Sequence, residues 1–573
     1  MRILEAAADA ITPLVSGLNR GDVLALLELP PRPEMGDVAF PCFTLAKTLR
    51  KAPSAIATDL ENGLNMPNGA ASVEGIRSEA LGPYVNLFFE PRIWGPRIAS
   101  DALKPEYGCS QIGRGQRVVI DSSSPNIAKP FGVGHLRSTV IGAALANLYA
   151  ACGWDVVKVN HIGDWGTQFG KLMEAYQRWG DDVKLAAEPI RESLRLYVRF
   201  HEEAKHDPSL EDAGRDWFRR LEQGDLEAER LWSYFVGVSM EEFDRVYARL
   251  GVKFDHVLGE SFYNDKMSPV VDELRDKGLL EESDGAQVVR LEEEGLPPCL
   301  VLKSDGTTIY PTRDLATAIY RKTVMGADRL LYVVGAEQTL HFNQVFAVLR
   351  RMGREWAESC EHVPFGLIKV QGKKMSTRKG KVVFLDEVLD EAVQKAQEVA
   401  SGGSLRPEEV IDVAKAVGIG AVIFGDLRGS RMSEIDFSLD EMLRFEGDTG
   451  PYVQYTYARV ASLIEKGIVA GITPLDLKEQ NVFASVGSNG WACLKAVDGF
   501  PDAVREAVQL IEPSVVARHL LDTAKAFNRF YRSDRILTND PAETATKLQL
   551  TAAIGAVLRI GLGLLGVRAP ERM

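Results

Sequence analysis

Between Arg117 and Asn160 the chain reads strand, loop, helix, strand within about 45 residues, and that order restricts the fold more than anything else in the sequence. Arg117–Asp121 (RVVID) is a short β-branched run, suited to a strand buried on both faces of a parallel sheet. Ser122–Gly134 is a polar loop. His135–Cys152 has apolar residues at helical spacing and stops at Gly153, a natural helix end. Asp155–Asn160 is the second strand. A βαβ unit of this kind opens a nucleotide-binding parallel sheet.

The rhythm resumes at Arg329–Val334, with a helix predicted over Asn343–Met352 and a strand over Phe365–Val370. The intervening Lys171–Glu294 is charged and reads as mainly helical, an insertion that splits the sheet domain. Residues 1–108 read as a small mixed domain, with a helix over Ile3–Leu18, a turn at Pro30, Pro31 and Pro33, a helix near Phe43–Arg50, and an alternating aromatic strand at Gly82–Glu90. After about Asp440 the chain is helical to its end. The expected division is 1–108, 109–440 with the insertion at 171–294, and 441–573. A length of 573 residues fits three or four domains.

The net charge of −13 argues against a nucleic-acid partner until its distribution is considered. From Glu441 onward, 15 basic and 15 acidic residues cancel, so the acidity lies wholly in residues 1–440. A large acidic protein still binds RNA through local basic patches. No run approaches about 18 uninterrupted apolar residues, so no membrane span is expected. The N-terminal stretch MRILEAAADAITPLV carries acids and lacks the form of a signal peptide. Cys42, Cys109, Cys152, Cys299, Cys360 and Cys493 are scattered without a C-x-x-C pair, so neither a zinc site nor a disulfide framework is expected, and a reducing cytoplasm fits.

Two segments about 240 residues apart carry chemistry. Ser122–Thr139 (SSSPNIAKPFGVGHLRST) joins a strand end to a helix start. Gly132 and Gly134 permit close backbone approach, and the helix N-terminus offers free N–H groups to phosphates. His135 can donate to a phosphate oxygen, and Lys129 adds a cation. Gly372–Gly380 (GKKMSTRKG) is a basic loop with two hydroxyls, suited to neutralising a triphosphate. Taken singly, each suits a blander role: a glycine turn with a capping histidine, and a solvated basic loop.

Together, in this order, they resemble the HIGH and KMSKS signatures of class I aminoacyl-tRNA synthetases. SSPNIAKP before GVGHLRST, KMSTRKG before KVVFLDEVL, NHIGDWGTQFGKL, TRDLATAIYR, EIDFSLDEML, GPYVQYTYAR and the terminal LLGVRAPERM resemble the arginyl branch. The resemblance spans the chain. It implies an α/β fold with a Rossmann-type catalytic domain, an N-terminal α+β domain that touches the tRNA, and a C-terminal all-α anticodon-binding domain. It implies a two-step reaction, arginyl-adenylate formation from ATP with Mg2+ and then transfer to tRNA, with activation needing bound tRNA. A cytoplasmic monomer is expected.

By the same resemblance, His135, Lys129, Lys374, Ser376 and Lys379 are catalytic, and Gly132, Gly134, Met375 and Lys374 contact ATP. Asp121, Asn126, Tyr310, Asp314, Gln338 and His161 read arginine, and Trp165–Gln168 line the site. A guanidinium is planar, permanently charged and rich in donors, so it calls for such carboxylates and amide oxygens. Tyr452, Gln454, Tyr455 and Tyr457, with Tyr84 and Asn86, are the implied tRNA contacts, aromatic groups suiting splayed bases. The chain departs from the family at Gly132, where most members have His, and at Asp121, where Glu is usual. Two alternatives stay open: an adenylate-forming paralogue, which the retained GPYVQY segment disfavours, and a decayed tRNA-binding homologue, which Gly132 favours.

Overall fold

Val118, Val119 and Ile120 have no exposed surface, because Arg117–Asp121 lies in the middle of a parallel sheet covered on both faces. The computed structural model describes residues 2–66, 73–370, 373–374, 383–401, 405–473, 483 and 486–573. The sheet runs Cys360–His362, Arg329–Tyr332, Arg117–Asp121, Asp155–Asn160, His256–Val257, all parallel. Asp121 sits in register between Tyr332 and Val159. The chain leaves Arg117–Asp121 toward one side and returns on the other, so the strand order switches there. The carboxyl end of that strand is where such a sheet opens a ligand crevice.

Alternate residues of the central strand feed two cores. Val118 and Ile120 join the one containing the helix Val133–Ala151. Val119 joins the one built on Tyr310–Thr323 and Thr339–Arg351. Val133–Ala151 is buried on nearly every side. It lies so close to the sheet that a Cβ at Gly142 would fall 2.3 Å from the Ser122 side chain. Its far side meets the C-terminal helices, where Asn147 Nδ2 donates to Leu564 O at 3.2 Å.

Two expectations are corrected. The outer strand beside Arg329–Tyr332 is Cys360–His362, not Phe365–Val370. Ile368–Val370 instead belongs to a small separate sheet with Ile435–Phe437 and Lys373–Lys374. Cys-Glu-His has no β-branched signal, whereas the apolar run after Pro364 has one, which explains the misreading. The span 171–294 is mainly helical as expected, through Thr167–Trp179, Asp182–Ala187, Pro189–Glu203, Ser209–Glu222, Leu226–Leu250 and Met267–Asp276, but it is not one insertion, because a strand of the parent sheet follows Leu250. Beyond Leu250, His256–Val257 returns to the parent sheet, and Glu281–Ser283, Ala286–Val289 and Cys299–Leu302 form an antiparallel sheet.

The N-terminal region has three antiparallel strands, with Tyr84–Phe89 between Val38–Pro41 and Ile76–Leu81. Its first helix, Arg2–Ile11, gives way to a 3-10 turn at Thr12–Leu14, since Pro13 cannot continue it. The region is seated on the helix Gly487–Gln509. Asp498 accepts from the backbone N–H groups of Arg2 and Ile3, and Asp37 from Trp491 Nε1 and Lys495 Nζ.

The C-terminal region contains Gly450–Val469, Gly487–Gln509, Ser514–Ser533 and Pro541–Leu564. Pro541–Leu564 is long and apolar enough to cross a membrane, but its apolar side chains are packed inward: Leu548, Ile554, Val557 and Leu558 have no exposed surface.

Candidate active site

At the carboxyl end of the central strand, Asp121 is not free. Its Oδ2 accepts from Arg321 Nη1 at 2.8 Å and its Oδ1 from Ser124 Oγ at 3.3 Å. Asp121 is 6% and Arg321 1% exposed. Asp121, expected to read arginine, therefore already carries an internal guanidinium partner. Arg321 lies seven residues, two turns, after Asp314 on Tyr310–Thr323, so one helix face brings a protein guanidinium to Asp121. Beside it, His161 stacks on Tyr263 at 5.4 Å, and its buried Nδ1 has no hydrogen-bond partner among the described residues. Burial lowers the His161 pKa, against the pull of Asp121, so the ring is neutral near pH 7.

The loop after the strand holds three non-glycine residues at positive φ: Ser123 at 77°, Ser124 at 50° and Ala128 at 58°. Such backbone persists only where surrounding contacts over-determine it. Ser123 N donates to Ser138 Oγ (2.8 Å), Ser124 N to Asn160 Oδ1 (3.1 Å), and Ala128 N to Ser239 Oγ (2.9 Å). The Tyr247 hydroxyl ties Ser123 Oγ to Asn160. Ile127 N reaches Gly163 O at 3.1 Å, beside Asn126. A Cβ at Gly163 would lie 2.4 Å from Asn126 Oδ1, so Gly163 is required for Asn126 to hold its place.

Gly132 is the residue at which Val133–Ala151 begins. Its N–H donates to His135 Nδ1 at 3.2 Å. An accepting Nδ1 puts the proton on Nε2, leaving His135 an N–H donor. Burial, then Lys129, lowers the His135 pKa to about 4, so the ring donates as a neutral group. Lys129 Nζ itself lies 3.4 Å from Gln168 Oε1 and 5.7 Å from the Tyr197 ring centre. Gly134 is exposed on the first turn.

The segment that follows the second signature, Val383–Leu385, reaches the same place. Val133 N donates to Val383 O (3.2 Å) and Leu385 N to Phe131 O (2.9 Å), so the backbone just after KMSTRKG pairs antiparallel with the start of the helix. Met375, Ser376 and Lys379 lie outside the described residues, and Lys374 is described only as backbone paired with Lys369.

Tyr310 opens the helix that carries Asp314 one turn later; it is exposed and lines a 640 Å³ cavity with Trp165, Glu260 and Arg313. Gln338 is exposed on the short turn after Arg329–Tyr332. Asp314 Oδ2 meets His341 Nε2 at 2.5 Å, a partner that sequence reasoning missed, although a histidine three residues after Gln338 was its available signal. Glu260, also missed, forms an ion pair with Arg313 at 3.2 Å. Burial pushes its pKa up to about 7, against the pull of Arg313, and Asp314 and Lys129 both act on it electrostatically. The arginine-side and phosphate-side residues are thus within electrostatic reach of one carboxyl group.

Three family models cover this architecture in order: an arginyl tRNA synthetase N-terminal domain over residues 1–89, a class I (R) tRNA synthetase catalytic domain over 100–439, and a DALR anticodon binding domain over 453–573. The chain belongs to the class I arginyl-tRNA synthetase family. Arginine–tRNA ligase 2 of Bacillus anthracis is 49% identical over 558 residues, 97% of each chain. The arginine–tRNA ligase of an Exiguobacterium species is 50% identical over 569 residues, 99% of each. The Thermus thermophilus arginyl-tRNA synthetase structure superposes with a TM-score of 0.80 at 25% identity, covering 100% of this chain and 99% of that one. The expected α/β catalytic domain with an N-terminal domain and a helical C-terminal domain stands.

The residues expected to touch tRNA divide sharply by exposure. Gln454 is fully buried and donates to Ala416 O (3.0 Å) and Arg568 O (2.7 Å), so it clasps three chain segments and does not face a nucleotide. Tyr457 is 7% and Asn86 3% exposed, so both pack inside the protein. Gln454 and Tyr457 lie on the buried face of Gly450–Val469, and Asn86 on a strand with no exposed position. Tyr455 is 40% exposed, and Tyr84 is half-buried against Phe43. The Arg459 guanidinium is sandwiched 4.9 Å from both the Tyr455 and Tyr531 rings. Tyr455 and Arg459, with Tyr452, Asn528 and Arg532, line a 570 Å³ groove.

Proposed function

We propose that the chain ligates L-arginine to its cognate tRNA. An arginine carboxylate oxygen attacks the α-phosphorus of ATP, held as its magnesium salt, and pyrophosphate leaves. A terminal ribose hydroxyl of the tRNA then attacks the arginyl carbonyl carbon, and AMP leaves. The observation that supports this reading is the backbone pairing of Phe131–Val133 with Val383–Leu385, which brings the segment after the second signature to the helix start of the first. In the proposal, His135 Nε2–H, Lys129 and the helix N–H groups bind phosphate at the Gly132–Gly134 approach, and Lys374, Met375, Ser376 and Lys379 close on it from the second signature. Asp314, fixed by His341, takes the guanidinium. Tyr310, Gln338, Asn126 and His161 frame the rest of the amino acid. Asp121, held by Arg321, belongs to the same arginine-binding set.

The groove holding Tyr452, Tyr455 and Arg459 suits stacking on unpaired bases. We assign residues 1–108, 109–440 and 441–573 to elbow contact, catalysis and anticodon binding. The enzyme is proposed to act as a cytoplasmic monomer. Gly132 favours a second reading, a decayed homologue that binds tRNA without activating arginine. Arginine-dependent exchange of pyrophosphate into ATP, with and without tRNA, separates the two: the ligase exchanges label when tRNA is present, and the decayed homologue exchanges none.

A further inference from the structure

Pro364, Phe365 and Gly366 form a junction on which four parts of the molecule converge. Arg431 Nη1 donates to Pro364 O at 2.7 Å, while its Nε donates to Ile511 O at 3.1 Å in the helical region. Gly366 N donates to Arg431 O at 2.8 Å. Phe365 O accepts from Ala336 N at 3.0 Å, at the start of the Gln338 turn. Gly366 O accepts from Arg137 Nη1 at 2.8 Å, and the same nitrogen reaches Ser433 O at 2.7 Å. Arg137 stands two residues past His135, is 1% exposed, and has Asp426 at 3.0 Å behind it. The junction has no slack: a Cβ at Gly366 would lie 2.6 Å from Met432 O and 2.8 Å from Ser433 O.

What leaves the junction is the support of the second signature. Leu367 O accepts from Ile435 N, and Ile368–Val370 then pairs with Ile435–Phe437 on one edge and with the Lys373–Lys374 backbone on the other. What enters from the helical region is held in an unusual conformation. Ile511 is a buried β-branched residue at φ 52°, a strained value, and the next residue, Glu512, accepts from the Arg431 N–H and from Ser430 Oγ at 3.3 Å.

We propose that Arg431 is a positioning residue that ties the seating of the helical region to the strand bearing Lys373 and Lys374, and so to the rate of arginine activation. The proposal rests on the ligase reading above. A guanidinium holds Pro364 O and Ile511 O with two nitrogens of one rigid plane, and a lysine ammonium cannot reproduce that fork. The Phe365–Ala336 bond is backbone and survives substitution at Arg431, so arginine binding should not follow the rate.

The test uses full-length parent, Arg431→Lys, Arg431→Ala and, as a control, Asp412→Asn. Asp412 pairs with Arg568 at 2.7 Å and so also joins the C-terminal tail to the catalytic region, but away from Pro364–Gly366. Both Arg431 variants should lose about 10-fold in the activation rate measured with saturating tRNA, while arginine KM and tRNA Kd stay within about 3-fold of the parent. Asp412→Asn should match the parent. Parent-like activation in Arg431→Lys would overturn the proposal. So would an equal loss in Asp412→Asn, or a fall of rate, arginine KM and tRNA Kd together with the melting temperature, which would mark general loosening. A parent that makes no arginyl-adenylate with tRNA present overturns the ligase reading itself, and the proposal with it.

Discussion

Arg321 and Asp121 form a buried ion pair, 2.8 Å apart, across the crevice at the switch point of the parallel sheet. Two hundred residues separate them in sequence. Bonded to an internal guanidinium and to Ser124, the Asp121 carboxylate braces the strand-end loop.

Removing one partner of a buried pair strands the other. Asp121→Asn should therefore cost about 3–5 kcal/mol of stability, read from urea unfolding of the full chain. A change under about 1 kcal/mol would mean that the pair is solvated or dispensable.

Among the described residues, the Asp314 carboxylate is hydrogen-bonded to His341. Asp314→Asn should raise the arginine KM by about 100-fold or more, since an unpaired buried guanidinium loses several kcal/mol, while the ATP KM moves by less than about 3-fold. His341→Ala should give a smaller rise in the same constant. Steady-state kinetics with each substrate varied in turn decides it, and an effect confined to ATP removes Asp314 from the arginine site.

The His135 pKa gives a signed pH dependence. The folded value is about 4, held down by burial and then by Lys129, against about 6.5 in an unfolded chain. Between those values the unfolded chain binds a proton that the folded one does not. The contribution is fully present above about pH 6.5 and is lost as pH falls toward 4, up to roughly 3 kcal/mol. His135→Asn should shrink the difference in unfolding free energy between pH 7 and pH 5. An unchanged difference would assign the acid sensitivity to other groups.

Gly132 sits at φ −90°, ψ 167°, ordinary extended backbone that any residue can adopt. Gly132→His should leave single-turnover activation unchanged or raise it, whereas His135→Ala should lower it by about 100-fold, the scale for one lost preorganised donor. Equal rates in parent and His135→Ala would remove the histidine from the phosphate site.

Much of this was legible in the sequence for physical reasons. RVVID announces a strand with no wet face, and Gly153 marks the end of the helix that follows. The approach of the second signature to the first is implied by resemblance, and the pairing of Val383 with Val133 and of Leu385 with Phe131 brings the segment that follows it to the helix start. Long-range pairing was not legible: nothing local to Arg321 points to Asp121, and nothing local to Gln454 points to Ala416 and Arg568. Burial within helices and strands was equally hidden, which is why Asn86, Gln454 and Tyr457 read as tRNA contacts. Cys360–His362 was lost because a three-residue strand without β-branching carries no pattern.

The central claim is that this chain attaches arginine to tRNA. The most direct measurement is charging of a total tRNA pool, assayed with each labelled amino acid in turn together with ATP and magnesium. Only arginine should become acid-precipitable on tRNA, with AMP and pyrophosphate released in step. Attachment of another amino acid, or tRNA binding without any charging, would contradict the account.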